Sequence, residues 1–261
     1  MFDPTGLSGC DLYCLSLFLA VLDSHRRIII GARVRPFTAR ELQSRNNELA
    51  VEIPEPGLIK CTKPTFCGVA PPVFFRVEHT FSSVSEEEGD MNLEQLEVYE
   101  KLGRRILMSA LEGYNACLFA YGVTSSGKTY SMFGSPENPG IIPRLVEDLF
   151  DKVSRKKRPN CRTTVQLSFF EIYKEKLIDL LQPKSSTRPL AVREHPATGP
   201  FVEGLLEPVV RSPQEVFALL RLGDSRRKVS STAMNERSSR SHTIATLLIT
   251  RREMVNPVIY R

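Results

Sequence analysis

The residues best suited to chemistry are Gly122, Gly127, Lys128 and Thr129, within YGVTSSGKTYSMFG at 121–134. They satisfy the pattern G-x-x-x-x-G-K-[ST]. Gly122, Val123, Thr124, Ser125, Ser126 and Gly127 form a loop that is small at nearly every position. Small residues let successive backbone N–H groups face one anion. Lys128 adds a positive point charge for the outer phosphates of a nucleotide, and the Thr129 hydroxyl is a magnesium ligand in loops of this type. The other reading is a Gly/Ser turn with an exposed lysine. The flanks argue against it, because a phosphate cradle requires a strand before the loop and a helix after it. ACLFAY at 116–121 reads as a short strand, and a helical pattern follows Gly127.

A phosphate loop alone fits GTPases, small-molecule kinases and many ATPases. A second stretch narrows the choice. NERSSRSH at 235–242 places Ser238, Ser239 and Ser241 between Asn235, Arg240 and His242, just ahead of a strand pattern. Such a run of hydroxyls could supply a metal ligand, a donor to a γ-phosphate and a mobile gate in one loop. By itself it is equally a solvated polar loop.

The elements that must position these residues are legible in outline. RRIIIGARVRPF at 26–37 is a β-branched run ending at Pro36, a buried strand leading into a turn. NLEQLEVYEKLGRRILMSALEGY at 92–114 has apolar residues at helical spacing, with Asn92 as N-cap and Gln95 three residues on. IPRLVEDLFDKV at 142–153 is a second helix with Pro143 in its first turn. TTVQLSFFEIY at 163–173 and HTIATLLITR at 242–251 read as strands. SPQEVFALLRLG at 212–223 reads as a helix capped by Ser212, begun by Pro213 and stopped by Gly223. Residues 82–91 and 181–203 read as loops. Alternating strands and helices define an α/β layer fold.

Composition sets the outer bounds. At 261 residues, with 41% hydrophobic and 25% charged, the chain is long enough for one large globular domain. A net charge of +5 is a mild basic bias that permits an acidic partner without establishing one. The six cysteines have neither a disulfide framework nor zinc spacing, which predicts reduced thiols in a cytosolic protein. CDLYCLSLFLAVL at 10–22 is apolar but too short to span a bilayer as a helix, and Asp3 and Asp11 are wrong for a secretory signal.

Four segments together carry a family resemblance. GYNACLFAYGVTSSGKTYSM at 113–132, ARVRPF at 32–37, SFFEIYKEKLIDLL at 168–181 and NERSSRSH resemble a kinesin motor domain, in the family's order and approximate spacing. PGIIPR at 139–144 and VREHPATGPFVEG at 192–204 are similar to the third kinesin class. The resemblance covers about residues 27–251, leaving 1–25 as an unmatched N-terminal extension and 26–261 as motor domain. It implies a P-loop NTPase, a three-layer α/β sandwich around a central, mostly parallel sheet, incomplete at its C-terminus. It implies an ATPase stimulated by microtubules, using ATP and Mg²⁺, in the cytoplasm on the cytoskeleton, with no nucleic acid or membrane insertion.

Residue by residue, the resemblance implies a phosphate loop from Gly122 to Thr129, with Val123 where the family commonly has glutamine. It implies that Arg33, Arg35 and Pro36 line the base and ribose, and that Tyr130 stacks on the adenine. It places Asn235 and Ser238 at the γ-phosphate, Ser239 with Thr129 at Mg²⁺, and Arg240, beside Ser241, in a pair with a glutamate of the second switch. Lys174, Lys176 and Arg193 are the candidate tubulin contacts. The family's second switch, Asp-Leu-Ala-Gly-Ser-Glu, does not occur in these 261 residues. The expectation is therefore a partial motor with an exposed strand edge and slow turnover. The alternative is a non-catalytic nucleotide- or tubulin-binding fragment.

Overall fold

The computed structural model describes residues 16–22, 28–38, 50–62, 71–82, 91–155, 161–183, 190–196, 199–231 and 241–253, with Glu41, Gln43 and the short pieces 64–65 and 68–69. The chain divides into two compact units, Met1–Leu145 and Val146–Arg261.

In the first unit, four strands form one sheet: β1 (Ser16–Leu22), β2 (Ile28–Val34), β8 (His79–Ser82) and β9 (Cys117–Tyr121), in the order β8-β2-β1-β9. β2 and β8 pair in parallel. β1 pairs antiparallel with both β2 and β9, so β2 and β9 run in the same direction with β1 reversed between them. β3 (Val51–Glu55), β4 (Leu58–Cys61) and β7 (Val73–Arg76) make a separate antiparallel sheet, and β5 (Pro64–Thr65) pairs with β6 (Gly68–Val69).

β2 explains why its sequence is a nearly continuous apolar run. Ile29 is buried in a cluster with Phe81, Val98, Tyr99, Leu102, Ile106 and Ile141. Ala32 and Val34 are buried in another, with Val51 and Ile59. A strand covered on both faces has no polar alternation to show. Burying each Ile, Leu or Phe in such clusters contributes about 1.5–3 kcal/mol.

The helix expected over 92–114 is present but interrupted. It runs as α1 (Met91–Val98), a π turn at Tyr99–Gly103 and α2 (Arg104–Leu111). The Arg104 N–H bonds the Tyr99 carbonyl, five residues back. Asn92 lies inside the helix, one residue past its start at Met91. A Cβ on Gly103 would sit 2.6 Å from the Tyr99 ring and 2.9 Å from Ile141, so only glycine permits that packing. α3 (Lys128–Met132) follows the phosphate loop, and α4 is Ile141–Arg155.

In the second unit, β10 (Cys161–Tyr173) pairs antiparallel with β11 (Lys176–Asp179), β14 (Val209–Val210) and, along its whole length, β15 (Ser241–Glu253). The stretch 181–203, expected as loop, contains the hairpin β12 (Ala191–His195) with β13 (Gly199–Glu203). Its strands are largely exposed, so they lack the core-facing alternation that would have marked them.

α5 (Pro213–Ser231) corrects a second expectation, since Gly223 does not end the helix. It sits within α5, where a Cβ would lie 2.3 Å from a Phe169 ring carbon and 3.2 Å from Leu180. Four residues on, Arg227 reaches Glu171. Four helical residues advance about 6 Å and two strand residues about 6.6 Å, which matches Gly223 and Arg227 to Phe169 and Glu171. Helix propensity alone predicts that Gly223→Ala stabilises by up to about 1 kcal/mol. Against the buried Phe169 ring we expect the opposite, a loss of about 1–3 kcal/mol from overpacking. Urea unfolding distinguishes the two by the sign of the midpoint shift.

Candidate functional site

The phosphate loop leaves the end of β9, whose residues alternate between the apolar cluster and solvent. Leu118 and Ala120 pack against the cluster, while Phe119 and Tyr121 are 55% and 65% exposed. The turn is tight. Ser125 has φ 65° and Gly127 has φ 95°, both left-handed. Gly127 tolerates this because it has no Cβ. The Ser126 N–H bonds the Val123 carbonyl at 3.2 Å, and the Ser131 N–H bonds the Gly127 carbonyl at 2.9 Å.

Lys128 folds back over the loop it follows. Its Nζ donates to the carbonyls of Gly122 and Val123, each at 2.7 Å. An ammonium has three donors, so among the described residues one remains for an anion. Partial burial pushes the Lys128 amine below the usual lysine range. A phosphate brought alongside would favour the charged form. Thr129 is exposed, and the Ser126 hydroxyl is buried with no partner among the described residues.

Arg33 reaches α3 from β2 and is only 3% exposed. Its Nε donates to Glu94 at 2.8 Å, and its Nη1 donates to Gln95 at 2.7 Å and to Ser131 Oγ at 2.8 Å. Gln95 in turn donates to the Tyr130 carbonyl at 2.8 Å. The guanidinium also lies over the Tyr130 ring, 5.0 Å from its centroid. The Tyr130 hydroxyl accepts from Asn138 at 3.0 Å. One arginine thus ties strand, α1 and the phosphate-loop helix together, and it holds one face of the Tyr130 ring.

Arg35 is paired rather than solvated. Its guanidinium grips Glu41 through two bonds of 2.7 and 2.6 Å and donates to the Pro36 carbonyl at 2.8 Å. Pro36 itself is exposed. Glu41 also accepts from the Thr38 N–H at 2.6 Å, while its own N–H donates to Thr38 Oγ1 at 3.3 Å, a reciprocal capping box. The hydrogen bond from Arg35 holds the Glu41 carboxyl down at about 2. A carboxyl depressed on folding stabilises the fold above its unfolded pKa, and that stability is lost as pH falls through the folded value. We therefore expect Glu41→Gln to lower stability at pH 6 and to converge with the parent as pH falls from about 4.3, the ordinary glutamate value, toward 2. Parallel urea titrations at stepped pH check this, and parallel curves at every pH would contradict it.

Asn235, Ser238, Ser239 and Arg240 lie outside the described residues. Ser241 opens β15 opposite Tyr173, with its Oγ buried and without a partner among the described residues. His242 pairs with Ile172 in the same ladder. Lys174 and Lys176 are exposed at the β10–β11 turn, where Lys174 and Glu175 adopt φ of 50° and 61°. Lys174 lies over the Tyr173 ring, 5.5 Å from its centroid. Arg193 shares its charge with Glu203 at 3.0 Å on the exposed hairpin.

Sequence reading missed the supports of the site. Glu94 and Ser131 carry no signal that separates them from ordinary helix residues, and Gln95, whose spacing from Asn92 suggests a capping box, bonds Arg33 and the Tyr130 carbonyl. Glu41 carries a signal, because Thr38-x-x-Glu41 has capping-box spacing. Asp179 carries none. Its carboxylate accepts from the N–H groups of Leu181, Gln182 and Leu206 at 2.7, 3.2 and 2.8 Å, fixing the chain after β11. Among the described residues no group of three or more His, Cys, Asp or Glu could hold a metal. No helix of the described residues is long and apolar enough to cross a membrane.

A strand, a glycine turn whose lysine caps its own carbonyls and a following helix define a phosphate-loop nucleotide-binding domain of the α/β class. The Kinesin motor domain family matches residues 33–258, and the chain belongs to that family. Kinesin-like protein KIF14 of Homo sapiens is 39% identical over 236 residues, covering 86% of this chain and 14% of that protein. Kinesin-like protein KIF13A of Homo sapiens is 39% identical over 230 residues, covering 87% of this chain and 13% of that protein. A solved structure of KIF14 with ADP in complex with a microtubule superposes with a TM-score of 0.72 at 39% identity, over 85% of this chain and 61% of that one. A fast-kinesin structure gives 0.71 at 32% identity, over 85% of this chain and 59% of that one. The chain thus spans about one-seventh of the length of these curated relatives.

Proposed function

We propose that this chain is the nucleotide-handling part of a microtubule motor that binds MgATP in the Gly122–Thr129 loop and hydrolyses its β–γ bond with water. The observation that carries the reading is Lys128, held over the loop by two carbonyls with a third donor to spare among the described residues. Membership of the kinesin family selects ATP and the microtubule from the nucleotides and partners that phosphate loops serve. Thr129, an exposed hydroxyl, and Ser239 are assigned to the magnesium that accompanies the nucleotide, Asn235 and Ser238 to the γ-phosphate, and Arg240, beside Ser241, to a pair with a glutamate of the second switch. Catalysis of this kind rests on positioning and charge stabilisation. Lys174, Lys176 and Arg193 are assigned to the acidic tubulin surface, with the motor working in the cytoplasm along the cytoskeleton.

Titration with fluorescent ATP, followed by phosphate release with and without microtubules, tests the reading. Absence of binding at millimolar nucleotide would refute it, whereas binding without turnover would favour the non-catalytic alternative. Base selectivity should be modest. Tyr130 and Pro36 offer ring faces rather than a row of hydrogen bonds to a base edge. ATP over GTP by more than about a thousandfold would require buried polar readout and would contradict the assignment of Tyr130.

A further inference from the structure

The strand that presents the phosphate loop is hydrogen-bonded, among the described residues, to one other strand only, and that strand is β1. β1 lies at Ser16–Leu22, ahead of the 33–258 region that the family matches. Phe18 is opposite Tyr121, the residue before Gly122, and the ladder continues through Leu19 with Ala120 to Leu22 with Cys117. On its other edge β1 pairs with β2 from Ser16 opposite Val34 to Leu22 opposite Ile28. Leu19 falls between Gly31 and Ala120, two small residues.

We propose that Ser16–Leu22 is a positioning element of the nucleotide site. It is a strand contributed from outside the family's matched region, and it fastens the phosphate-loop strand to the sheet that carries Arg33. This rests on the nucleotide reading above. A loop can present its N–H groups to phosphate only while its parent strand is held in place. Here the main-chain tether of β9 runs through β1, in the manner of strand addition to an open edge. The linkage is reciprocal: if β1 holds the loop, nucleotide in the loop must hold β1.

Two measurements on the whole chain test this. In the intact protein, saturating MgADP should slow amide exchange at residues 17–22 by about tenfold or more, together with residues 122–131. Protection of the loop with no change at 17–22 would overturn the proposal. Absence of binding and of protection in both segments would mean that the nucleotide reading fails, and the proposal with it. Second, Leu19→Pro withdraws one N–H from the middle of the ladder. It should raise the Kd for fluorescent ADP by about tenfold or more while exchange along β15 stays as in the parent. A Kd within about twofold of the parent in a folded Leu19→Pro chain would overturn the proposal. Should that variant not fold, the exchange result on the intact protein decides.

Discussion

Lys128→Ala should lower nucleotide affinity by about a hundredfold or more, which is about 2.7 kcal/mol. Two losses combine in that figure. The first is the charge-assisted contact to phosphate, since Lys128 is the only charged residue between Gly122 and Thr129. The second is local, because the Gly122 and Val123 carbonyls lose the ammonium that draws the turn together. Lys128→Met keeps most of the aliphatic stem while removing the charge, so it isolates the electrostatic part. Fluorescent-nucleotide titration gives the affinity, and the rise in melting temperature on adding MgATP gives an independent reading through mass action. Both signals should vanish together. Unchanged affinity in Lys128→Met would show that the loop N–H groups suffice and that the lysine serves only the fold.

The second large effect concerns a pair remote from any nucleotide argument. Glu171 in β10 is fully buried, and Arg227 of α5 lies 3.4 Å from its carboxylate. Removing a charged partner from a buried ion costs far more than the pair contributes, because the remaining charge loses compensation in a poor solvent. Arg227→Ala is therefore expected to destabilise by about 3 kcal/mol or more in urea unfolding. The double variant Glu171→Leu with Arg227→Ala should recover most of that loss, since the buried carboxylate leaves together with its arginine. Failure of the second change to rescue the first would show that Arg227 matters through its aliphatic stem and not through its charge.

The two effects differ in how far the sequence revealed them. Gly122, Gly127, Lys128 and Thr129 are legible because a phosphate cradle restricts residue type at each position. β10 and β15 are legible because long β-branched and apolar runs have few other uses. Arg227 is not legible, because in sequence it sits in a polar run, SRRK, that reads as a solvated face. Gly223 misleads for a related reason. A glycine near the end of a helical pattern signals a stop, whereas here it makes room for Phe169 on a neighbouring strand. Arg33 could be read as a ligand to the nucleotide, but its hydrogen bonds to Glu94, Gln95 and Ser131 depend on which helix packs over which strand. The strand at Ser16–Leu22 reads as an apolar stretch without a role, since its pairing with β9, about a hundred residues on, leaves no local mark.

The π turn at Tyr99–Gly103 has a genealogical reading. A π turn closes on the fifth residue back and so holds one residue more than a turn of regular α-helix would. Each residue of an α-helix turns the chain by about 100°. Removing one residue here would restore a regular helix and swing α1 by about that angle relative to α2. With α2 held by Ile106 and Leu107 in the core, the swing would fall on Glu94 and Gln95, which hold Arg33. A lineage that carries Arg33, Glu94 and Gln95 in this arrangement is thus bound to keep its extra residue, and single-residue deletions between Tyr99 and Gly103 should be purged even though they would make a straighter helix.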